Sequence, residues 1–246
     1  MSIQKRNKTR VCGVIPARYG STRFPGKALA MLAGKPIIQH VYERCSQAEY
    51  LDTILVATDD QRIVDVVEGF GGIAVMTSCG HQSGTDRIAE AVRNIDCEIV
   101  VNIQGDEPLI NPAVINLIAG ELINNPLVEM VTPVTETIDP EEVKNPNIVK
   151  AVIDANGYAL YFSRYPIPFI RDTQPGKWYK HIGLYGYRKD FLLRFVSYSS
   201  SFLENAERLE QLRVLENGHK IKTVVTAYQS IGVDTPADLM EVEKRI

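Results

Sequence analysis

The chain has 246 residues, of which 45% are hydrophobic, and a formal net charge of −3. That composition supports a substantial core and excludes the disordered class, while the length fits one large α/β domain or two small ones. Both signs of charge are spread along the chain, which disfavours a broad nucleic-acid-binding face but leaves room for a local basic pocket that takes a small anion. The basic segment 1–10 lacks the apolar stretch of a secretory signal and reads as a short disordered lead. Val11–Ile15 reads as a short buried strand. Pro36 suits the N1 position of a helix that continues through Ile37, Ile38, Val41, Tyr42 and Cys45 at three-to-four spacing. Thr53–Ala57 predicts a second strand, and Asp59 or Asp60 caps a helix running to Val67. Ile73–Met76 predicts a third strand, Ser83 caps a helix over Thr85–Arg93, and Ile99–Ile103 predicts a fourth strand. A helix follows Pro112, and Met130–Val134 predicts a fifth strand.

Near-continuous apolar strands separated by helices predict a parallel sheet covered on both faces. The second half changes character. Val149–Ile153 and Ala159–Phe162 flank a hairpin-like turn ending in Asn156-Gly157. A proline-rich stretch leads to a strand over His181–Tyr187, on which His181, Gly183 and Tyr185 would share one face. Helices follow at about 190–196 and 203–216, then a strand over Ile221–Thr226 and a last helix from about Pro236. No repeat, low-complexity segment or linker marks a boundary, so residues 11–246 read as one domain, with an excursion over about 155–190. No apolar run approaches the roughly 20 residues needed to span a bilayer. Cys12, Cys45, Cys79 and Cys97 form no C-x-x-C pair. Buried free thiols in a soluble, cytoplasmic protein are the expectation.

The segment from Ile15 to Lys27 carries the clearest chemistry. It holds Arg18, Arg23 and Lys27, the hydroxyls of Ser21 and Thr22, and Gly20 and Gly26, directly after a predicted strand. Glycines admit close backbone approach, cations neutralise phosphate oxygens, and strand ends are where open α/β sheets bind ligands. Five residues separate Gly20 from Gly26, and Ala28 follows Lys27, so this is not a Walker loop; no G-x-G-x-x-G is present either. Asp106, in Gln104-Gly105-Asp106-Glu107-Pro108, stands at another strand end, where helix capping is the plain alternative. Asp234, in Gly232-Val233-Asp234-Thr235-Pro236, has the same alternative in stronger form. Ser83-Gly84-Thr85-Asp86-Arg87 reads equally as a capping box or as a nucleotide-facing helix start.

Eight segments in order, IPARYGSTRFPGK (15–27), VATDD (56–60), HQSGTDR (81–87), NIQGDEP (102–108), ALYFSR (159–164), KHIGLYGY (180–187), LEQLR (209–213) and GVDTP (232–236), resemble the sugar-acid cytidylyltransferases. The resemblance runs from about Val11 to the C-terminus; Phe24 stands where leucine is common. It implies a three-layer α/β/α fold like that of nucleotide-diphospho-sugar transferases, mainly parallel, with an antiparallel excursion in the second half. It also implies attack by the anomeric hydroxyl of a 3-deoxy-octulosonate on the α-phosphorus of CTP. In that frame Arg18, Ser21, Arg23 and Lys27 hold the triphosphate, and Ser83 and Arg87 hold the cytidine. Gln104 lies between nucleotide and sugar, and Arg164, His181, Tyr185, Glu210 and Gln211 line the sugar pocket. Asp106 and Asp234 hold Mg2+, and Lys27, Arg18 and the two aspartates carry the chemistry. A homodimer is implied, with Tyr165–Tyr179 as interface or lid. The alternatives are an amino-substituted octulosonate or a nonulosonic acid as substrate, or a nucleotide-sensing module without catalysis. Such a module would be expected to lose Lys27 or one of the aspartates, and all three are present.

Overall fold

The computed structural model describes residues 9–20, 24–171 and 177–246. Ser21 and Arg23, part of the 165–179 stretch and most of the N-terminal lead lie outside the described residues. The first half follows the predicted alternation: β1 (Val11–Ala17), α1 (Ile37–Cys45), β4 (Thr53–Thr58), α2 (Gln61–Gly69), β5 (Ala74–Met76), α3 (Gly84–Val92), β6 (Ile99–Asn102) and α4 (Pro112–Asn124). A two-stranded ribbon, β2 (Met31–Leu32) with β3 (Lys35–Pro36), precedes α1. Pro36 therefore ends the ribbon and occupies the N-cap of α1, rather than its first turn. β7 (Met130–Thr137) is followed by a short α5 (Pro140–Lys144) and by the hairpin β8 (Lys150–Ile153) and β9 (Ala159–Ser163). Gly157, with φ +77°, supplies the left-handed residue of that hairpin turn.

Two predicted elements are each two. The strand expected over 181–187 divides into β10 (Trp178–His181) and β11 (Tyr185–Arg188). The ladder breaks where Leu184 N–H turns back to Ile182 O. The helix expected over 203–216 divides into α7 (Phe202–Glu207) and α8 (Gln211–Glu216), because Arg208 adopts a left-handed conformation with φ +55°. α6 (Lys189–Phe195), β12 (Lys222–Val225) and α9 (Pro236–Glu243) complete the chain.

One ten-stranded sheet runs in the order β5-β4-β1-β6-β11-β7-β10-β8-β9, with β12 paired to β7. β5, β4, β1 and β6 are mutually parallel, whereas β11, β10 and β9 run against their neighbours. The pleat sorts β1 between two cores. Val11 and Ile15 pack with α1 and α4 on one face, and Cys12 and Val14 pack with α3 and α6 on the other. β6 does the same with Ile99 and Val101 against Val100. This is why those strands read as unbroken apolar runs. Cys12, Cys45 and Cys97 are buried free thiols, and Cys79 is exposed. Among the described residues, no helix is long and apolar enough to cross a membrane.

Candidate active site

Because β1 and β6 are parallel, the loops that leave them emerge at one edge of the sheet, beside the start of α3. A cleft of about 320 Å³ opens there, lined among others by Arg18, Lys27, Ser83, Gln104, Asp106 and Asp234. Lys27 begins a short 3-10 turn after Gly26, whose φ of 70° favours a residue without a side chain. Gly26 N–H donates to Tyr19 O at 2.9 Å, closing the loop on itself. A Cβ at Gly26 would stand 3.1 Å from the Tyr19 ring. The face of that ring carries the Arg62 guanidinium, 3.3 Å from its centroid. Asp60, the N-cap of α2, holds Arg62 through two hydrogen bonds of 2.8 and 2.7 Å. The cation-bearing loop is thus clamped from the first turn of α2.

Lys27 Nζ lies 2.6 Å from Asp106 Oδ2 and 3.1 Å from Asp234 Oδ1. Neither aspartate caps the helix that follows it: Asn111 caps α4 and Thr235 caps α9, each through its side-chain oxygen. Two carboxylates that reach the same ammonium converge on one point, and a divalent ion with hard oxygen preference would fit the same donors. No group of three or more His, Cys, Asp or Glu is arranged for a metal among the described residues. Mg2+ commonly uses only one or two carboxylates and takes its remaining oxygens from substrate phosphates and water, so the pair is a fitting donor set.

Ser83 lines the cleft and also caps α3, accepting from Asp86 N–H in a reciprocal capping box. Arg87 borders the cleft too, but its guanidinium is buried against Asp59 at 2.7 Å and Thr77 Oγ1 at 2.6 Å. It braces the cleft wall from below. His81 also faces the cleft, paired through Nε2 with Glu90, which holds that carboxyl below its usual range.

A second cavity of about 480 Å³ includes Lys180, His181, Tyr185 and Gln211 in its lining. Gln104 Nε2 donates to Gly183 O at 2.7 Å, so Gln104 belongs to the first cavity and touches the wall of the second. His181 and Tyr185 sit on different strands, but their rings remain 5.4 Å apart. Glu210, expected in the sugar pocket, lines neither cavity: it stands at the start of α8, where its Oε2 accepts from Thr85 Oγ1 at 2.5 Å and its Oε1 from Arg213 Nη2 at 3.1 Å, and burial pushes its carboxyl up. Arg164 lines neither cavity. Its Nε donates to Glu207 O at 2.8 Å and its Nη1 to Pro146 O at 3.0 Å, so its place is a brace behind the second cavity. Buried Lys150 braces the same loops, donating to the carbonyls of Asn145 at 3.0 Å and Ile148 at 2.7 Å.

The Thr132 hydroxyl has one proton and donates it to Leu184 O at 2.8 Å. His181 Nε2–H then donates to Thr132 Oγ1 at 2.9 Å, leaving Nδ1 as an acceptor. Burial lowers the imidazole from 6.5 to about 3, so the ring is neutral near pH 7 and acts by hydrogen bonding rather than by titrating. Between those two values the unfolded chain binds more protons than the folded one. The contribution of His181 to stability is therefore complete above pH 6.5 and is lost as pH falls toward 3. Thermal melts of His181→Asn should show a flatter fall over that window than wild type. An unchanged slope would contradict a buried neutral ring.

His81, Lys180, Glu107 and the Tyr19–Arg62 clamp were missed by sequence reasoning. His81, Lys180, Glu107 and Tyr19 stand inside segments already singled out, one or two positions from residues given a role. That adjacency was the available signal.

A cytidylyltransferase family model matches residues 12–221. A 3-deoxy-manno-octulosonate cytidylyltransferase of Trichlorobacter lovleyi is 50% identical, over 96% of this chain and 98% of its own. One of Geobacter sulfurreducens is 51% identical, over 96% and 99%. A solved structure of CMP:2-keto-3-deoxy-manno-octonic acid synthetase complexed with CTP superposes with a TM-score of 0.94 at 42% identity, over 96% of this chain and 98% of that one. The chain belongs to the cytidylyltransferase family.

Proposed function

We propose that this protein transfers CMP from CTP to the anomeric hydroxyl of 3-deoxy-manno-octulosonate, releasing pyrophosphate and forming an activated sugar for lipopolysaccharide synthesis. The observation that carries the reading is the convergence of Lys27, Asp106 and Asp234 in the cleft at the strand ends. It is joined to a second, sugar-sized cavity through Gln104.

CTP brings roughly four negative charges, and phosphoryl transfer is catalysed mainly by positioning and charge stabilisation. Arg18 and Lys27 take the triphosphate, together with Ser21 and Arg23 of the same loop. Lys27 answers the charge that grows on the departing pyrophosphate. The start of α3, with Ser83, faces the nucleoside, and Arg87 fixes that helix start through Asp59 and Thr77. Asp106 and Asp234 would hold Mg2+, which would supply charge neutralisation beside the phosphates and make a hydroxyl more acidic. His181 Nδ1, Tyr185 and Gln211 orient the sugar acid, Glu210 ties that wall to Thr85 at the start of α3, and Gln104 sits at the junction where the new bond forms. Arg164 supports this pocket from behind. Exposed Tyr165 and Phe169, within the 165–179 stretch, support a homodimer through that face.

The test is pyrophosphate release with Mg2+, each of the four nucleoside triphosphates and a panel of sugar acids. Turnover should require CTP and be fastest with 3-deoxy-manno-octulosonate. Faster turnover with an amino-substituted octulosonate or a nonulosonic acid would reassign the acceptor. No turnover with any of them would overturn the enzymatic reading.

A further inference from the structure

The two metal-binding carboxylates stand on segments far apart in sequence, and one buried side chain joins those segments. Glu107 follows Asp106 directly and is 4% exposed. Its Oε1 accepts from Ser230 Oγ at 2.6 Å and its Oε2 from Tyr228 OH at 2.9 Å. One residue back, Asp106 O accepts from Val233 N–H at 2.8 Å. The strap 226–234 is therefore fastened at three points to the Asp106–Glu107 step. It has no helix or strand of its own, so these contacts, with the anchorage of Asp234 N–H on Asp238, set the direction of the Asp234 carboxylate. The same strap carries Gln229, whose Oε1 accepts from Lys180 Nζ at 2.9 Å in the wall of the second cavity. Glu107 and Tyr228 line neither cavity, so substrate contact does not account for them; Ser230 lines the second cavity, away from the nucleotide cleft in which CTP binding is read.

We infer that Glu107 is a positioning residue: it holds the strap so that Asp234 meets Asp106 at one point and Gln229 meets Lys180 in the sugar cavity. The inference rests on the metal-dependent CTP reading proposed above. Groups that orient metal ligands typically matter by 10–100-fold in metal affinity, although they touch neither metal nor substrate. Two hydroxyls donating to one carboxylate suit this task, because both Oε atoms are occupied and the side chain cannot rotate without losing a bond.

The experiment measures CTP binding by calorimetry, in Mg2+ titrations and in EDTA, for wild type, Glu107→Gln, Tyr228→Phe and the Tyr228→Phe/Ser230→Ala double variant. The Tyr and Ser changes alter no charge, so they read the strap apart from any electrostatic effect of Glu107. The double variant should raise the Mg2+ concentration needed for half-maximal enhancement of CTP binding by about tenfold. Its CTP affinity in EDTA should stay unchanged. Tyr228→Phe alone should have a smaller effect, and none when added to Glu107→Gln. If the double variant melts earlier but keeps wild-type Mg2+ dependence, Glu107 only stabilises the fold and the inference is overturned. Wild-type CTP binding that ignores Mg2+ would overturn the functional reading and this inference together. Unchanged metal dependence in the variants alone would overturn only the inference.

Discussion

Asp106→Asn is expected to lower kcat by about two to three orders of magnitude at saturating CTP and Mg2+, the range seen when an electrostatic stabiliser at the reacting centre is lost. The argument is one of charge. Two bare carboxylates beside a triphosphate would repel it by about 4 kcal/mol for each charge pair at 4 Å and an effective dielectric near 20. A divalent ion between them reverses that sign, and an amide at position 106 removes half of the protein's anionic grip on the ion. The fold should survive. The Asp106 side chain is 31% exposed, and its partner Lys27 keeps Asp234. Part-exposed ion pairs contribute little to stability, so the melting temperature should shift by a few degrees at most. Near-normal turnover of the folded variant with Mg2+ would remove Asp106 from the metal role.

Lys27→Ala is the second large effect. Its ammonium lies where the two aspartates converge, and the proposed reading has it face the departing phosphates when CTP is bound. An interaction that strengthens as charge builds on the leaving group lowers the barrier more than it tightens binding. Steady-state kinetics should show kcat reduced by about 10²–10³-fold, with KM for CTP changed much less. A rise in KM with kcat preserved would mean that Lys27 binds the ground and transition states equally, and its role would be affinity alone.

The parallel half of the sheet was legible because its strands are buried on both faces, which writes them as apolar runs between turn residues. Ser83 and Asp60 announced helix starts because capping is local chemistry, settled within three residues. The breaks at 182–184 and at Arg208 were not legible. The first depends on what the backbone meets elsewhere, since Ile182 N–H is drawn to Pro133 O. The second is local, with Leu209 N–H returning to Glu204 O, but it places an arginine where a glycine would have announced the left-handed turn. The candidate site was legible as a set of residue types at strand ends, and its chemistry was visible through the family resemblance. Its geometry was not, since Lys27 meets acids 79 and 207 positions away. Arg87 and Arg164 show the same limit from the other side. Each reads as a cation ready for an anion, yet the fold turns Arg87 to Asp59 and Thr77, and Arg164 to backbone carbonyls.

The most direct test of a metal-loaded nucleotide held between two distant acids is CTP affinity, measured with Mg2+ and with EDTA, in wild type and in Asp106→Asn/Asp234→Asn. Wild type should bind CTP more tightly with Mg2+ than in EDTA. The double variant should lose that gain and bind CTP in EDTA more tightly than wild type does, because the repelling charges are gone. A variant that keeps the full Mg2+ enhancement, and gains nothing in EDTA, would contradict the account.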